Sequence, residues 1–185
     1  MKEINSNIIG KLIQNEGFDD WWESSQIEIA FFDHQKMKIT FMNFNPEDDK
    51  EFINEADEAL KLFLSKSNAD RLAISNLVYN NCMDFLNAIG YDENDKPLWE
   101  IKDQHEIWNF VQPSEIFISR RPYQDKNIYV DISCECDWEQ EHGLQLVYRK
   151  GKHLTRVSQI DGHLTDADAY DKPDSEDELL SNYTE

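Results

Sequence analysis

The stretch Ile128-Tyr129-Val130-Asp131-Ile132-Ser133-Cys134-Glu135-Cys136-Asp137-Trp138-Glu139 decides the fold. Ile128, Val130, Ile132, Cys134, Cys136 and Trp138 alternate with Tyr129, Asp131, Ser133, Glu135, Asp137 and Glu139. A period of two belongs to a strand, so the first set faces a core and the second faces away from it. Residues 139–143 and Asp161-Gly162-His163 read as turns on either side of a hairpin. That hairpin runs through residues 144–149 and 153–158 about Lys150-Gly151, where glycine tolerates the positive φ that tight turns demand. Residues 115–121 form a further strand and residues 122–126 its turn.

Toward the N-terminus, residues 26–44 read as another hairpin. Ile27, Ile29 and Phe31 alternate with polar or small neighbours, as do Met37, Ile39 and Phe41, and Asp33-His34-Gln35-Lys36 supplies the loop. Asn45-Pro46-Glu47-Asp48-Asp49 has the chemistry of a helix start: a capping side chain, a proline, then carboxylates at the positive end of the dipole. Phe52, Ile53, Ala56, Leu60, Phe63 and Leu64 follow at helical spacing. A second helix capped by Ser67 or Asn68 carries Leu72, Ile74, Leu77, Val78, Cys82, Phe85, Leu86 and Ile89 to a stop at Gly90. Residues 99–111 fit helix or strand equally. A hairpin, two helices and a run of antiparallel strands predict an α+β fold, with the helices on one face of the sheet.

The chain has 185 residues, enough for one domain with a tail. Its 39% hydrophobic and 12% aromatic content suffices for a core and excludes wholesale disorder. Lys and Arg number 18 against 38 Asp and Glu, a formal net charge of −20 that argues against nucleic acid or an anionic membrane surface as partner. No run is long and apolar enough for a membrane helix, and residues 1–17 lack the apolar stretch of a signal peptide. Three cysteines are too few for a disulfide framework, so the expectation is a cytoplasmic protein with reduced thiols. Residues 1–165 are expected to form the domain. Residues 166–185 carry eight carboxylates against Lys172 alone and are expected to form a flexible, solvated tail.

Asp131, Glu135, Asp137 and Glu139 lie on one face of the deciding strand, and Glu141 follows in the turn. Same-face neighbours stand about 6.5–7 Å apart, so the row repels itself unless a cation faces it. It is either a solvated outer face or a docking surface for a basic partner, the latter agreeing in sign with the whole chain. Arg149, Lys150, Lys152 and Arg156 nearby can neutralise part of it across strands. The adjacent Trp21 and Trp22 point to opposite sides of an extended chain. One suits the core, and the other, expected as Trp22, suits an exposed anchor ringed by carboxylates for a cationic partner.

The run Cys134-Glu135-Cys136-Asp137-Trp138-Glu139-Gln140-Glu141-His142-Gly143-Leu144-Gln145-Leu146, followed by Asp161-Gly162-His163, resembles the C-terminal signature of an uncharacterised bacterial domain family. That family is associated with genes of the polymorphic-toxin and contact-inhibition immunity type. The resemblance spans roughly a fifth of the chain. It brings no established chemistry. It implies an immunity-type protein whose partner is a toxin's C-terminal domain.

Cys134, Cys136, His142 and His163 are the alternative centre, as four zinc ligands or the core of an enzyme. Cys-x-Cys in a regular strand is a poorer match than the Cys-x₂₋₄-Cys turn of zinc sites, and buried core thiols are the competing account. His105-Glu106-Ile107-Trp108-Asn109 begins like a zinc-protease helix but has Asn where the second His is needed. Glu141, His142, Asp161 and His163 have the residue types for proton transfer, although Asp161 before Gly162 is also an ordinary turn former. The six glycines are scattered singly and build no phosphate loop. The expectation is therefore a non-enzymatic protein without cofactor, binding a basic toxin domain of nuclease type through Asp131, Glu135, Asp137, Glu139, Glu141 and Trp22.

Overall fold

A computed structural model describes residues 2–181. The chain opens with a short hairpin of β1 (Glu3–Ser6) and β2 (Gly10–Gln14), followed by β3 (Trp22–Ser24), β4 (Ile27–Ile29) and β5 (Gln35–Phe41). Helices α1 (Phe52–Leu64), α2 (Asn68–Leu72), α3 (Ser75–Ile89) and α4 (Lys96–Trp99) come next. The strands β6 (Val111–Arg120), β7 (Ile128–Cys136), β8 (Leu144–Arg149) and β9 (His153–Ser158) complete one sheet. Its order is β1-β2-β3-β5-β6-β7-β8-β9, with β4 pairing β5 beside β3. Only the β5–β6 pair is parallel, and it is the one spanned by the helices. Parallel neighbours need such a crossover, whereas antiparallel ones are joined by turns. The architecture is α+β, as the segregated pattern predicts.

The helices cover one face, called here the first. Ile116, Ile118, Val130, Ile132, Leu144 and Leu146 meet Phe52, Ala56, Leu60 and Phe63 of α1 and Val78, Cys82 and Leu86 of α3 in one continuous core. The deciding strand therefore buries its even-numbered set as the alternation requires. At the β8–β9 turn Lys150 and Gly151 both have positive φ, 52° and 66°. Added to Gly151, a Cβ would stand 1.9 Å from the Ala59 carbonyl oxygen, so this turn needs glycine for its φ and for its approach to α1. The N-terminal hairpin is tied to the same helix through the buried Asp57, which accepts hydrogen bonds from the Ser6 hydroxyl and the Asn7 amide.

Three local expectations are corrected. The first helix starts at Phe52 and not at Pro46, because Asn45–Asp49 folds as turns and the Asp49 carboxylate is taken by Arg120 at 2.6 Å. The second helix is two: Asp70 accepts from the Ser67 amide to start α2, and the chain breaks after Leu72 before α3 begins at Ser75. The ambiguous stretch is a 3₁₀ segment over Gln104–Phe110 leading straight into β6, with Pro113 accommodated at a register shift.

The larger difference concerns the tail. Residues 161–181 fold back over the second face of β7–β9 as α5 (Asp166–Ala169), a 3₁₀ turn and α6 (Glu178–Ser181), where a flexible appendage was expected from residue 166 onward. Leu164 closes a small second core with Tyr129 and Val147. The last four residues of the expected tail, 182–185, lie outside the described residues. No helix among the described residues is long and apolar enough to cross a membrane.

Candidate functional site

Register defines the second face. One row crosses the sheet as Glu23, Thr40, Phe117, Asp131, Val147 and Arg156, and the next carries Lys38, Glu115, Ser133, Gln145 and Ser158. The β7–β9 half of these rows lies under the C-terminal segment, and the β3–β6 half is open.

Arginines hold the cover in place. Arg121, 1% exposed, extends from the end of β6 and is gripped by Asp168 and Asp174 at 2.7 Å each, with Asp125 at 3.7 Å. Burial works against its charge, yet the hydrogen bonds it donates to Asp174 and Asp168 more than offset that and hold its pKa above the ordinary arginine value. Arg156 of β9 reaches Asp161 at 2.7 Å and Asp166 at 3.4 Å and donates to the Thr165 carbonyl. Asp177, fully buried, accepts from the amides of Ala167 and Leu180. The acid of the C-terminal segment is therefore largely spent inside the molecule.

The open half keeps its acid facing solvent. Lys38 lies between Glu23 at 3.2 Å and Glu115 at 3.4 Å. At the far end of β7, past the roofed part of the strand, Glu135 is exposed opposite Gln112, and Asp137 and then Glu141 are exposed in the residues that follow. Among the described residues, Glu135, Asp137 and Glu141 form no salt bridge with lysine or arginine. An aromatic cluster stands at the other end of the face, on the row that joins Glu23 and Thr40 to Phe117. Phe18, 55% exposed, stacks on Trp21 at 4.7 Å between ring centres, and Trp21 meets the edge of Phe117 at 5.8 Å.

Several expected site residues are placed differently. Trp22, expected as the exposed anchor, is 3% exposed and donates from Nε1 to the Phe44 carbonyl, because its partner across the strands is the buried Phe41. The half-exposed member of the pair is Trp21. Glu139 is turned inward, where Oε1 accepts from the amides of Glu141 and His142 and fixes the turn. Asp131 is also buried, because the C-terminal segment roofs the end of the row that it occupies. Its Oδ1 has no hydrogen-bond partner. Burial, then the charge of Asp161, push its carboxyl up to about 7, against the pull of Arg156.

The four residues of the zinc alternative do not converge. Cys134 and Cys136 are buried in the first-face core, whereas the exposed His163 stands beside Asp161 on the second face and His142 lies against Glu139 in the turn. Among the described residues, no group of three or more His, Cys, Asp and Glu is placed to hold a metal ion. Desolvation raises the Cys82 thiol to about 12 and the Cys136 thiol to about 11, and burial pushes Cys134 higher still. Such thiols are protonated and poor nucleophiles at neutral pH. Glu141, His142, Asp161 and His163 likewise serve two separate turns, with Asp161 accepting from the His163 amide.

These features describe an α+β protein whose sheet is apolar on one face and, on the other, half roofed and half open, with an aromatic cluster on the open half and unpaired carboxylates at the end of β7. The chain matches the family described as Domain of unknown function (DUF6985) over residues 8–164 and belongs to that family. The matched stretch includes the arginines that hold the C-terminal segment and ends where the acids of α5 begin. No curated protein and no solved structure matches the chain.

Proposed function

We propose that this is a non-enzymatic immunity-type protein that binds and neutralises a basic toxin domain, of nuclease type, through the open half of its second face. What carries the proposal is the group of exposed, unpaired carboxylates at Glu135, Asp137 and Glu141; the same sheet face also carries Glu115 and Glu23 about Lys38 and, farther along, Trp21, Phe18 and Phe117. A row of like charges lowers stability when nothing faces it, so keeping it exposed favours a role in meeting a cation. A nuclease holds a polyanion on a positive surface, and an acidic protein competes for that surface and is drawn to it quickly. Aromatic rings elsewhere on the same face supply apolar anchorage and cation–π contact for arginine or lysine.

The test is co-expression with the basic C-terminal domain encoded by a neighbouring toxin gene. Copurification that weakens with salt and fails in a Glu135→Lys/Asp137→Lys variant of unchanged melting temperature supports the proposal. A complex of undiminished affinity in that variant overturns it.

A further inference from the structure

A separate feature lies where the roofed and open halves of the second face meet. A cleft of about 580 Å³ opens there between the β6–β7 loop and the C-terminal segment. Ser119 and Asp131 line it from adjacent strands, His163, Asp168 and Asp171 from the C-terminal segment, and Tyr123 from the loop. Asp131 is 7% exposed, and its Oδ1 is a buried acceptor without a donor. Buried carboxyl oxygens almost always have a partner, because leaving one bare forfeits its hydration with nothing in return. The basic side chains of the lining offer Asp131 none. Arg120 is bound to Asp49 and Glu55, Arg121 to Asp168 and Asp174, and the Lys172 ammonium lies 5.7 Å from the Tyr170 ring centre. Asp171 forms no salt bridge among the described residues, so a second carboxylate of the lining also stays unpaired.

We propose that this cleft is a binding site for a small ligand bearing an ammonium or guanidinium group, whose N–H donors are received by Asp131. The site is chemically matched to that class. An anion would face Asp131 and Asp171 with both lining arginines already engaged, and a purely apolar ligand would leave the Asp131 carboxylate uncompensated. A cationic nitrogen supplies several donors and also compensates the buried charge. Ser119 stands beside Asp131 as a second polar contact, and the exposed Tyr123 ring at the mouth suits stacking on a guanidinium plane. The proposal is independent of toxin binding, because the cleft is floored by Asp131 and not by Glu135, Asp137 or Glu141.

Calorimetric titration of the full chain at pH 8 with agmatine, and separately with a blocked Ala-Arg-Ala tripeptide, tests it. The first probe represents a free small amine and the second an arginine side chain presented by a polypeptide. Saturable one-to-one binding of either, weakened at least tenfold in Asp131→Asn, supports the site, and the preferred probe names the source. The melting temperature of Asp131→Asn, measured in parallel, separates loss of the site from loss of the fold. Absence of binding by both probes, or binding that Asp131→Asn leaves unchanged, overturns the proposal. A Glu135→Lys/Asp137→Lys variant should bind the same probe normally, which separates this outcome from failure of the toxin-binding surface.

Discussion

Replacing Asp131 by asparagine should make the protein more stable at pH 8 and less stable, by about 1–3 kcal/mol, at pH 4, where the folded carboxyl is already neutral. In the folded chain the carboxyl titrates at about 7, against an ordinary aspartate value of 3.8. A group whose pKa is raised by folding contributes stability below the unfolded value and loses it as pH rises through the folded one. At pH 8 the buried charge therefore opposes folding by on the order of 4 kcal/mol, at about 1.4 kcal/mol for each pH unit between the two values. The substituted amide is still a buried polar group, which gives back about 1–3 kcal/mol where its donors go unmet. A ready acceptor is close by, because Gln145 Oε1 on the neighbouring strand is also buried without a donor. The net gain at pH 8 is thus ~1–3 kcal/mol, or a rise in melting temperature of about 3–10 °C for a chain of this size. Urea and thermal denaturation followed by circular dichroism at both pH values measure it. A variant no more stable than the parent at pH 8, or a difference that does not change with pH, would refute the assignment of Asp131 as a buried, uncompensated carboxylate.

Other perturbations address the remaining parts of the structure. Gly151→Ala should lower stability by about 2 kcal/mol or more, since the added methyl meets the Ala59 carbonyl and the left-handed φ at once, and urea melts will register the loss. Arg121→Ala should release the C-terminal segment by leaving Asp168 and Asp174 unpaired. The expected signs are early proteolytic cleavage within residues 165–181 and a loss of about 3–5 kcal/mol, the scale for breaking a buried ion pair. Native protein at pH 8 should resist thiol reagents at Cys82, Cys134 and Cys136 until denaturant is added, because all three are buried and pushed above their ordinary pKa values.

Which parts of this were legible in the sequence follows from the range of the interactions involved. The period-two run of β7 announced a strand and its core face, because alternation is a local property of the backbone. The Lys150-Gly151 turn was equally local. Trp21 and Trp22 were readable as one buried and one exposed ring, but the choice between them depends on Trp22 pairing with Phe41, a contact that no local pattern encodes. The short strands β1 to β3 carried too few residues for a period to show.

The C-terminal segment misled for a related reason. Eight carboxylates in 20 residues look like a solvated tail until Arg121 and Arg156 are known to await them on the far side of the sheet. That same cover removes Asp131 from the acidic row, although its spacing from Glu135 is that of an exposed neighbour. The consecutive Arg120-Arg121 at a strand end was the one available signal, since two cations in so acidic a chain imply carboxylate partners. Arg120 takes Asp49 and Glu55, and Arg121 takes the C-terminal acids.

The role proposed for the open face is tested most directly by the dissociation constant for a basic toxin domain encoded beside this chain, measured across a range of salt concentrations with the parent and with Glu135→Lys/Asp137→Lys. Affinity should fall steadily as salt screens the surface, and the double reversal should weaken binding by at least about tenfold, the consequence of setting like charges against one another. An affinity indifferent to salt and to both reversals would contradict the assignment of this face to a cationic partner.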